Sequence, residues 1–476
     1  MKQHDRKNKA YENIFLALLI LFSFVIRLFP VDTSYFFWDE TVYLQNAQYY
    51  AGMPASYTEL NIRPPLLPMM LSGIYSLGLD AEVWSRVLMA FLNSLMVLLA
   101  FQFAKQHSSK AAWISAVIVS LLPFHILASK WVMTDALAAL ISGASVYFFF
   151  RGIAQVPKAK KSNFSMQNIY MGISGLIFGL SILVKFTSII YAGVLFLALI
   201  YLIPIPSWPA KLSSLSAPLL LFAVFAILPM VPYLAWSHAT FGNLYRPFHD
   251  AFHVVAENEP TSLAFSLWSL ADFFGLFIVI FIIFAFYNFH GRKSYSGNFS
   301  SFMMYWALFM LLYYFVILQR GVAKPISMEW EAERFLLPAL LPVILSCSLF
   351  LSNIKSQVIF PIVVIILMLQ AQGYSRAYTP SIGFENGLRQ VTKDASGFLR
   401  LNIADGSIVY CNLNCPVIAY YSKMEVRQIH DFPNLGPAEH VLILHDLREP
   451  RVYARQGSRY FIANGQWEAN YYNYKE

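Results

Sequence analysis

Apolar stretches long enough to cross a bilayer recur along this 476-residue chain, and they leave few folds open to it. An α-helix rises about 1.5 Å per residue, so roughly 20 apolar residues cross about 30 Å of hydrocarbon. About eleven stretches qualify, near 12–30, 83–104, 111–128, 132–151, 169–187, 188–204, 213–236, 266–289, 301–319, 334–352 and 357–374. The division at 187/188 rests mainly on Lys185 and the length limit, since 169–203 is nearly continuous. Only 13% of the residues are charged, about half the share usual in soluble domains. The expected fold class is a polytopic α-helical membrane protein of about eleven transmembrane helices, resident in a cell membrane.

The basic residues orient the spans. With Lys2, Arg6, Lys7 and Lys9 in the cytoplasm, the inner loops also receive ten more Lys and Arg, among them Lys105, Lys110, Arg151 and Lys355. The outer segments hold mainly Arg63, Lys130, Arg246, Arg320 and Lys324, which satisfies the positive-inside rule. An odd number of spans then puts the C-terminal part outside. The net charge of +8 is an inner-surface feature, and without a basic-aromatic groove no nucleic-acid partner is expected. The first span lacks a small-residue cleavage pattern and reads as an uncleaved anchor.

The same orientation gathers the unusual residues on the outer side. Asp39, Glu40 and Arg63 lie in the outer loop 31–82, whose apolar piece at 66–79 is too short to span and suits an interfacial helix. Asp135 opens the fourth span, Lys185 closes the fifth, and Glu331, Glu333 and Arg334 open the tenth. Ionisable groups near hydrocarbon are costly, so charges on five spans aimed at one outward cavity suggest a site. The plainer readings are a solvated turn or interfacial cap for Asp39-Glu40, a first-turn acid for Asp135, a snorkelling Lys185 and a surface ion pair for Arg334. Arg27, near the outer end of the first span, is expected to reach for carbonyls, headgroups or an acid, and stands outside the site.

A carboxylate near hydrocarbon can take a proton from an acceptor hydroxyl or amine, while fixed cations hold a leaving phosphate. That implies group transfer from a phosphate ester, and a membrane-borne donor suits a site facing away from cytoplasmic nucleotides. The runs that carry this chemistry are Asp39-Glu40, Arg63-Pro64-Pro65-Leu66, Met133-Thr134-Asp135, Leu183-Val184-Lys185-Phe186-Thr187 and Glu333-Arg334-Phe335-Leu336-Leu337-Pro338. In that order they resemble the membrane glycosyltransferases of the C-type superfold (GT-C). The similarity is to the protein-mannosyltransferase-like group, glycosyltransferase family 39, which includes the lipid A aminoarabinose transferases. It covers roughly residues 10–350.

The resemblance implies transfer of a sugar, with inversion, from a polyprenyl-phosphate carrier to a lipid, glycan or protein acceptor on the extracytoplasmic side. It implies Asp39 as general base, Glu40 as the residue that orients it, Asp135 as a second acid, and Arg63, Lys185 and Arg334 as contacts to the carrier phosphate. Aminoarabinose members carry a lysine where this chain has Arg63, which implies a bidentate rather than a point-charge grip. The rival reading is a transporter or flippase of a lipid-linked sugar. Such proteins keep charged sites near the bilayer midplane beside broken helices, and no inverted-repeat pair of broken helices stands out in the sequence.

Glu333, His249 and His253 are secondary candidates. The two histidines have the i,i+4 spacing that puts both rings on one helix face, but the sequence identifies no third ligand; no metal or other cofactor is expected, a divalent ion being the alternative. The tail from 375 turns polar, and 408–410 and 441–444 read as buried strands with a short helix opening at Pro416. Cys411 and Cys415 flank the turn before that helix and are suited to a small disulfide outside the membrane, or stay reduced. The expected organisation is a transmembrane domain over 1–374, including the outer loop 31–82, and a small extracytoplasmic α/β domain over 375–476.

Overall fold

Each of the apolar stretches folds as helix, whole or broken. The computed structural model describes residues 2–28, 38–154, 166–202, 208–256, 263–290, 298–319, 333–404, 406–411, 414–428, 439–446, 458–462 and 467–472. In chain order the first helices are α1 (Lys2–Leu28), α2 (Trp38–Tyr50), α3 (Leu66–Ser76), α4 (Ala81–Lys105), α5 (Ser109–Leu121), α6 (Pro123–Ala128), α7 (Thr134–Ala154) and α8 (Met166–Val184). A 3-10 turn (Phe186–Ile190) leads to α9 (Tyr191–Leu202), α10 (Trp208–Ile227), α11 (Met230–Phe241) and α12 (Arg246–Ala256). Then follow α13 (Leu263–Phe274), α14 (Leu276–His290), α15 (Asn298–Gln319), α16 (Leu337–Leu351), α17 (Ser356–Asn402) and, in the tail, α18 (Cys415–Ser422).

The protein is a multi-pass membrane protein, but its helices are less uniform than the hydropathy suggests. Five single helices are long and apolar enough to cross, in α1, α4, α7, α8 and α15, and the count reaches seven if each of two bent pairs is one span. Four of the eleven expected spans are instead apolar helices of 10–17 residues: Ser109–Leu121, Phe186–Tyr201, Leu337–Leu351 and Gln357–Gln372. Length and composition thus support five to seven spans among the described residues, not eleven. Local chemistry explains part of the shortening. Pro123 cannot continue α5, and Lys185 adopts an extended backbone that ends α8 three residues before the expected division.

The two bent pairs are broken helices, although no inverted-repeat pair of broken helices stands out in the sequence. α10 and α11 meet at 40° around Pro229, and α13 and α14 at 98° around Gly275, whose φ of +54° lies in the left-handed region that favours glycine.

Contacts divide the chain into two compact units. One comprises Met1–Val31, Pro64–Leu66 and Arg86–Tyr374; the other comprises Asp32–Arg63, Leu67–Ser85 and Ser375–Glu476. The sequence division counts loop 31–82 with the spans, whereas most of that loop groups with the tail.

In the first unit, small residues bring helices together where apolar burial alone would not discriminate between lipid and protein neighbours. Ser145 of α7 and Ser174 of α8 donate to each other's backbone carbonyls, at 2.9 and 2.8 Å. On another face of α8, Gly175 and Gly179 let α10 approach so closely that a Cβ at either would stand 2.1 Å from the carbonyl oxygen of Phe222 or Ala226. These contacts fix the register of antiparallel α7 and α8, and so which ends meet.

Arg27 is fully buried, and carbonyls receive it. The break at Pro123 strips the last turn of α5 of its intrahelical partners, and the Arg27 guanidinium donates to the freed oxygens of Val119 (3.1 Å) and Ser120 (3.2 Å). It also reaches Ser23 O, Ser129 Oγ and His125 Nδ1, tying α1 to the α5–α6 turn. A cation from α1 therefore caps a helix broken by proline.

The second unit is built on a five-stranded sheet, β1 (Ile408–Cys411), β2 (Glu425–Gln428), β3 (Glu439–Asp446), β4 (Ser458–Ile462) and β5 (Trp467–Tyr472), in the order β2-β1-β3-β5-β4. β1 runs parallel to β2 and β3, while β5 is antiparallel to both β3 and β4. α18 is the crossover between parallel β1 and β2, with Pro416 in its first turn. Its buried face joins Val391, Ala395 and Leu399 of α17 with Val409 and Val426 of the sheet, and Trp38 and Tyr57 pack on this core. Gln45 of α2 donates to the Pro416 carbonyl at 2.9 Å, so α2 is bound to the tail by a buried hydrogen bond as well as by packing.

Replacing Arg27 with Met would leave the α5 carbonyls unsatisfied at membrane depth, a loss of about 3 kcal/mol. The midpoint of thermal unfolding in detergent is expected to fall by several degrees; an unchanged midpoint would show that the cap is dispensable.

Candidate active site

Asp39 and Glu40 occupy the first turn of α2, where carboxylates face the positive end of the helix dipole. Glu40 is fully buried, so the pair is not a solvated turn. Asp39 Oδ1 accepts from Arg63 Nη2 at 2.8 Å, and the Arg63 Nε donates to Glu59 Oε2 at 2.7 Å. The guanidinium thus lies between two carboxylates, with its Cζ 5.7 Å from the centre of the Tyr43 ring. Burial alone would lower the Arg63 pKa, yet Asp39 and Glu59 outweigh it and hold it well above its usual value.

Glu59 is the residue that sequence reasoning missed. Its i,i+4 spacing to Arg63 was the available signal. Its backbone N–H donates to Asn46 Oδ1 at 3.1 Å, and its Oε1 accepts from the Tyr57 hydroxyl at 3.0 Å. Burial first, and the Glu59 carboxylate second, push the Tyr57 phenol above its ordinary value. Asp39, Glu59 and Arg63 all lie in the second compact unit.

The first unit carries the other cluster. Asp135 in the first turn of α7 pairs with Lys185, which stands where α8 gives way to the 3-10 turn. Lys185 therefore has a carboxylate partner and is not a lysine snorkelling alone. Its Nζ lies 5.1 Å from the Phe335 ring centre, and the Arg334 Cζ lies 5.2 Å from the same ring. Two cations, one just after α8 and one in the turn before α16, lie close to a single aromatic ring. The Arg334 Nη1 reaches Met133 Sδ at 3.6 Å, and Glu333 beside it is buried. Glu331 lies outside the described residues.

His249 and His253 do fall on one face of α12, with ring centres 5.8 Å apart. The His249 ring is largely exposed and contacts Asp250, which also accepts from Arg246 at 3.3 Å. Among the described residues no three His, Cys, Asp or Glu side chains gather as a metal site. α12 is anchored by Phe248, whose ring centre lies 4.3 Å from that of Phe186, next to Lys185, at a tilt of 38°. Cys411 and Cys415 are joined in a disulfide, with Cα atoms 5.8 Å apart, at the buried start of α18.

Residues 14–245, which contain Asp39, Glu40, Arg63, Asp135 and Lys185, match the family of dolichyl-phosphate-mannose-protein mannosyltransferases. That match spans just under half of the chain, and the fold is of the GT-C type. Its fold is similar to that of ArnT from Cupriavidus metallidurans bound to undecaprenyl phosphate, with a TM-score of 0.68 at 12% identity over 97% of this chain and 98% of that one. It is also similar to the archaeal oligosaccharyltransferase AglB from Archaeoglobus fulgidus, in complex with an inhibitory peptide and a dolichol-phosphate. There the TM-score is 0.55 at 14% identity, over 88% of this chain and 64% of that one. No curated protein sequence matches the chain.

Arg63→Gln would leave Asp39 and Glu59 facing each other without their cation, at a cost of about 2 kcal/mol in this partly exposed setting. Glu59→Gln keeps the Arg63–Asp39 pair and is expected to cost less than half as much. Chemical unfolding in detergent measures both; equal losses would mean that the Asp39 contact contributes nothing.

Proposed function

We propose that this protein is an inverting glycosyltransferase that moves a sugar from a polyprenyl-phosphate carrier to a hydroxyl or amine on a lipid, glycan or protein acceptor at the extracytoplasmic face. The observation that carries the reading is the pairing of two candidate acids, Asp39 and Asp135, each with a candidate cation, within the segment that matches a glycosyltransferase family model.

Asp39 takes the acceptor proton as the acceptor atom attacks the anomeric carbon. The bond between that carbon and the phosphate oxygen breaks, its electron pair leaves with the phosphate, and polyprenyl phosphate departs with one more negative charge. Fixed cations are most effective on such a developing charge, and Lys185 and Arg334 are the first unit's candidates for holding a phosphate. Arg63, with two of its nitrogens on Asp39 and Glu59, orients Asp39 and thereby takes a role beyond the phosphate grip expected of it. Glu40 supports the same helix turn from its buried position, and Asp135 holds Lys185 in place for the phosphate. No metal is assigned a step.

The ArnT and AglB structures contain undecaprenyl phosphate and dolichol-phosphate, which favours a polyprenyl-phosphate donor here. Against a flippase stands the position of the charges. Asp135, Lys185 and Arg334 sit at helix ends and not at the breaks of α10–α11 or α13–α14, where a midplane transport site would use them. The N-terminus is assigned to the cytoplasm and the tail with its disulfide to the outside.

Transfer of radiolabelled sugar from synthetic polyprenyl-phosphate sugars by the purified protein tests this reading. Asp39→Asn is expected to lower turnover by about a hundredfold or more while donor binding persists. Equal turnover in both proteins would remove Asp39 as base, and lipid movement in vesicles without transfer would favour the flippase.

A further inference from the structure

The first unit has a second amphiphile-shaped feature, at the end of its bundle opposite Asp135, Lys185 and Arg334. Lys110, Trp113, Ile114 and Val117 of α5 recur at i, i+3, i+4 and i+7, one helix face. With Ile359, Phe360 and Val363 of α17 they line an open groove of about 250 Å³. The apolar stripe from Lys110 to Val117 runs roughly 10 Å along the axis at 1.5 Å per residue, enough for about eight methylenes.

One end of this groove is cationic. Lys110 Nζ donates to the Ile354 carbonyl in the turn between α16 and α17, and an ammonium has two further protons to give. Lys355, next in that turn, is exposed. Trp113, one turn from Lys110, has the amphipathic ring that favours headgroup depth. The neighbouring apolar groove between α1 and α5 differs in that it ends at an acid, Glu12, paired with Lys105.

We infer that the α5–α17 groove binds one acyl chain of an anionic glycerophospholipid, with its phosphate held by Lys110 and Lys355. It is not the donor phosphate site, because Arg334 precedes α16 and Ile354 follows it, and the 15 residues of that helix separate the two ends by about 22 Å. The charge argument selects the lipid class: two lysines and an apolar trough complement a monoanionic headgroup and favour it over a zwitterionic one. If the basic end is cytoplasmic, the lipid belongs to the inner leaflet. Occupancy would brace α5 against α17 without touching the transfer chemistry.

Native mass spectrometry of the full chain, with phosphatidylglycerol and phosphatidylcholine of identical chains, tests this. A lysine at the membrane surface contributes about fivefold to the binding of an anionic lipid. Phosphatidylglycerol is therefore expected to be retained about twentyfold better than phosphatidylcholine, falling to about fivefold in Lys355→Gln and to parity in Lys110→Gln/Lys355→Gln. Lys355 is exposed, so its variant keeps the fold and the Lys110–Ile354 bond. Val117→Trp, which fills the trough, is expected to weaken retention of both lipids. Equal retention of the two lipids by the unaltered protein would overturn the inference. So would undiminished phosphatidylglycerol preference in the double variant, or displacement of phosphatidylglycerol by an equimolar polyprenyl phosphate.

Discussion

The ion pair between Asp135 and Lys185 sets the condition under which the first unit can hold charge at a membrane boundary. A lone ammonium or carboxylate at that position would be costly to bury. The helices therefore have to bring the two ends together. The reciprocal Ser145 and Ser174 bonds fix α7 against α8 ten residues after Asp135 and eleven before Lys185, and Gly175 and Gly179 allow α10 to close on the other side. The extended backbone at Lys185 then stops the helix where the side chain has to turn toward Asp135 and Phe335. Packing of small residues deep in the bundle thus determines the chemistry at its end.

Cations elsewhere in the molecule obey the same rule with different partners. Arg27 is held by the carbonyls of a proline-broken helix and Ser, His neighbours, and Arg63 by two carboxylates. The partners differ in chemistry: carbonyls that need a donor occupy Arg27, whereas in the pairs of Arg63 and Lys185 the carboxylate is a group suited to a substrate proton and the cation one suited to a phosphate. An Arg63 held between Asp39 and Glu59 fixes the orientation of the candidate base, and an Asp135 paired with Lys185 fixes the position of a candidate phosphate contact.

Much of this was legible in the sequence, because membrane helices and costly charges leave strong marks. The apolar stretches located the helices, and Asp39, Asp135, Lys185 and Arg334 stood out against a chain with few charges. Helix breaks were less legible: hydropathy averages over Pro123, Pro229 and Gly275, so 111–128, 213–236 and 266–289 read as continuous. The continuation of α17 to Asn402 was hidden by the loss of apolarity after 374, since a helix can leave the apolar region without ending. Glu59 escaped notice because its importance comes from Arg63, Tyr57 and Asn46, two of them contacts that spacing alone does not disclose.

The account rests on Lys185 being a phosphate contact that Asp135 holds in readiness. Measuring the affinity for undecaprenyl phosphate in the unaltered protein, Asp135→Asn and Lys185→Met separates this from a purely structural pair. Removing the carboxylate releases the ammonium to the phosphate, so Asp135→Asn is predicted to bind as tightly or more tightly. Lys185→Met, which removes a charge-assisted contact, is predicted to lose about tenfold or more. Parallel losses in both variants would contradict the account and reduce the pair to a clamp between two helices.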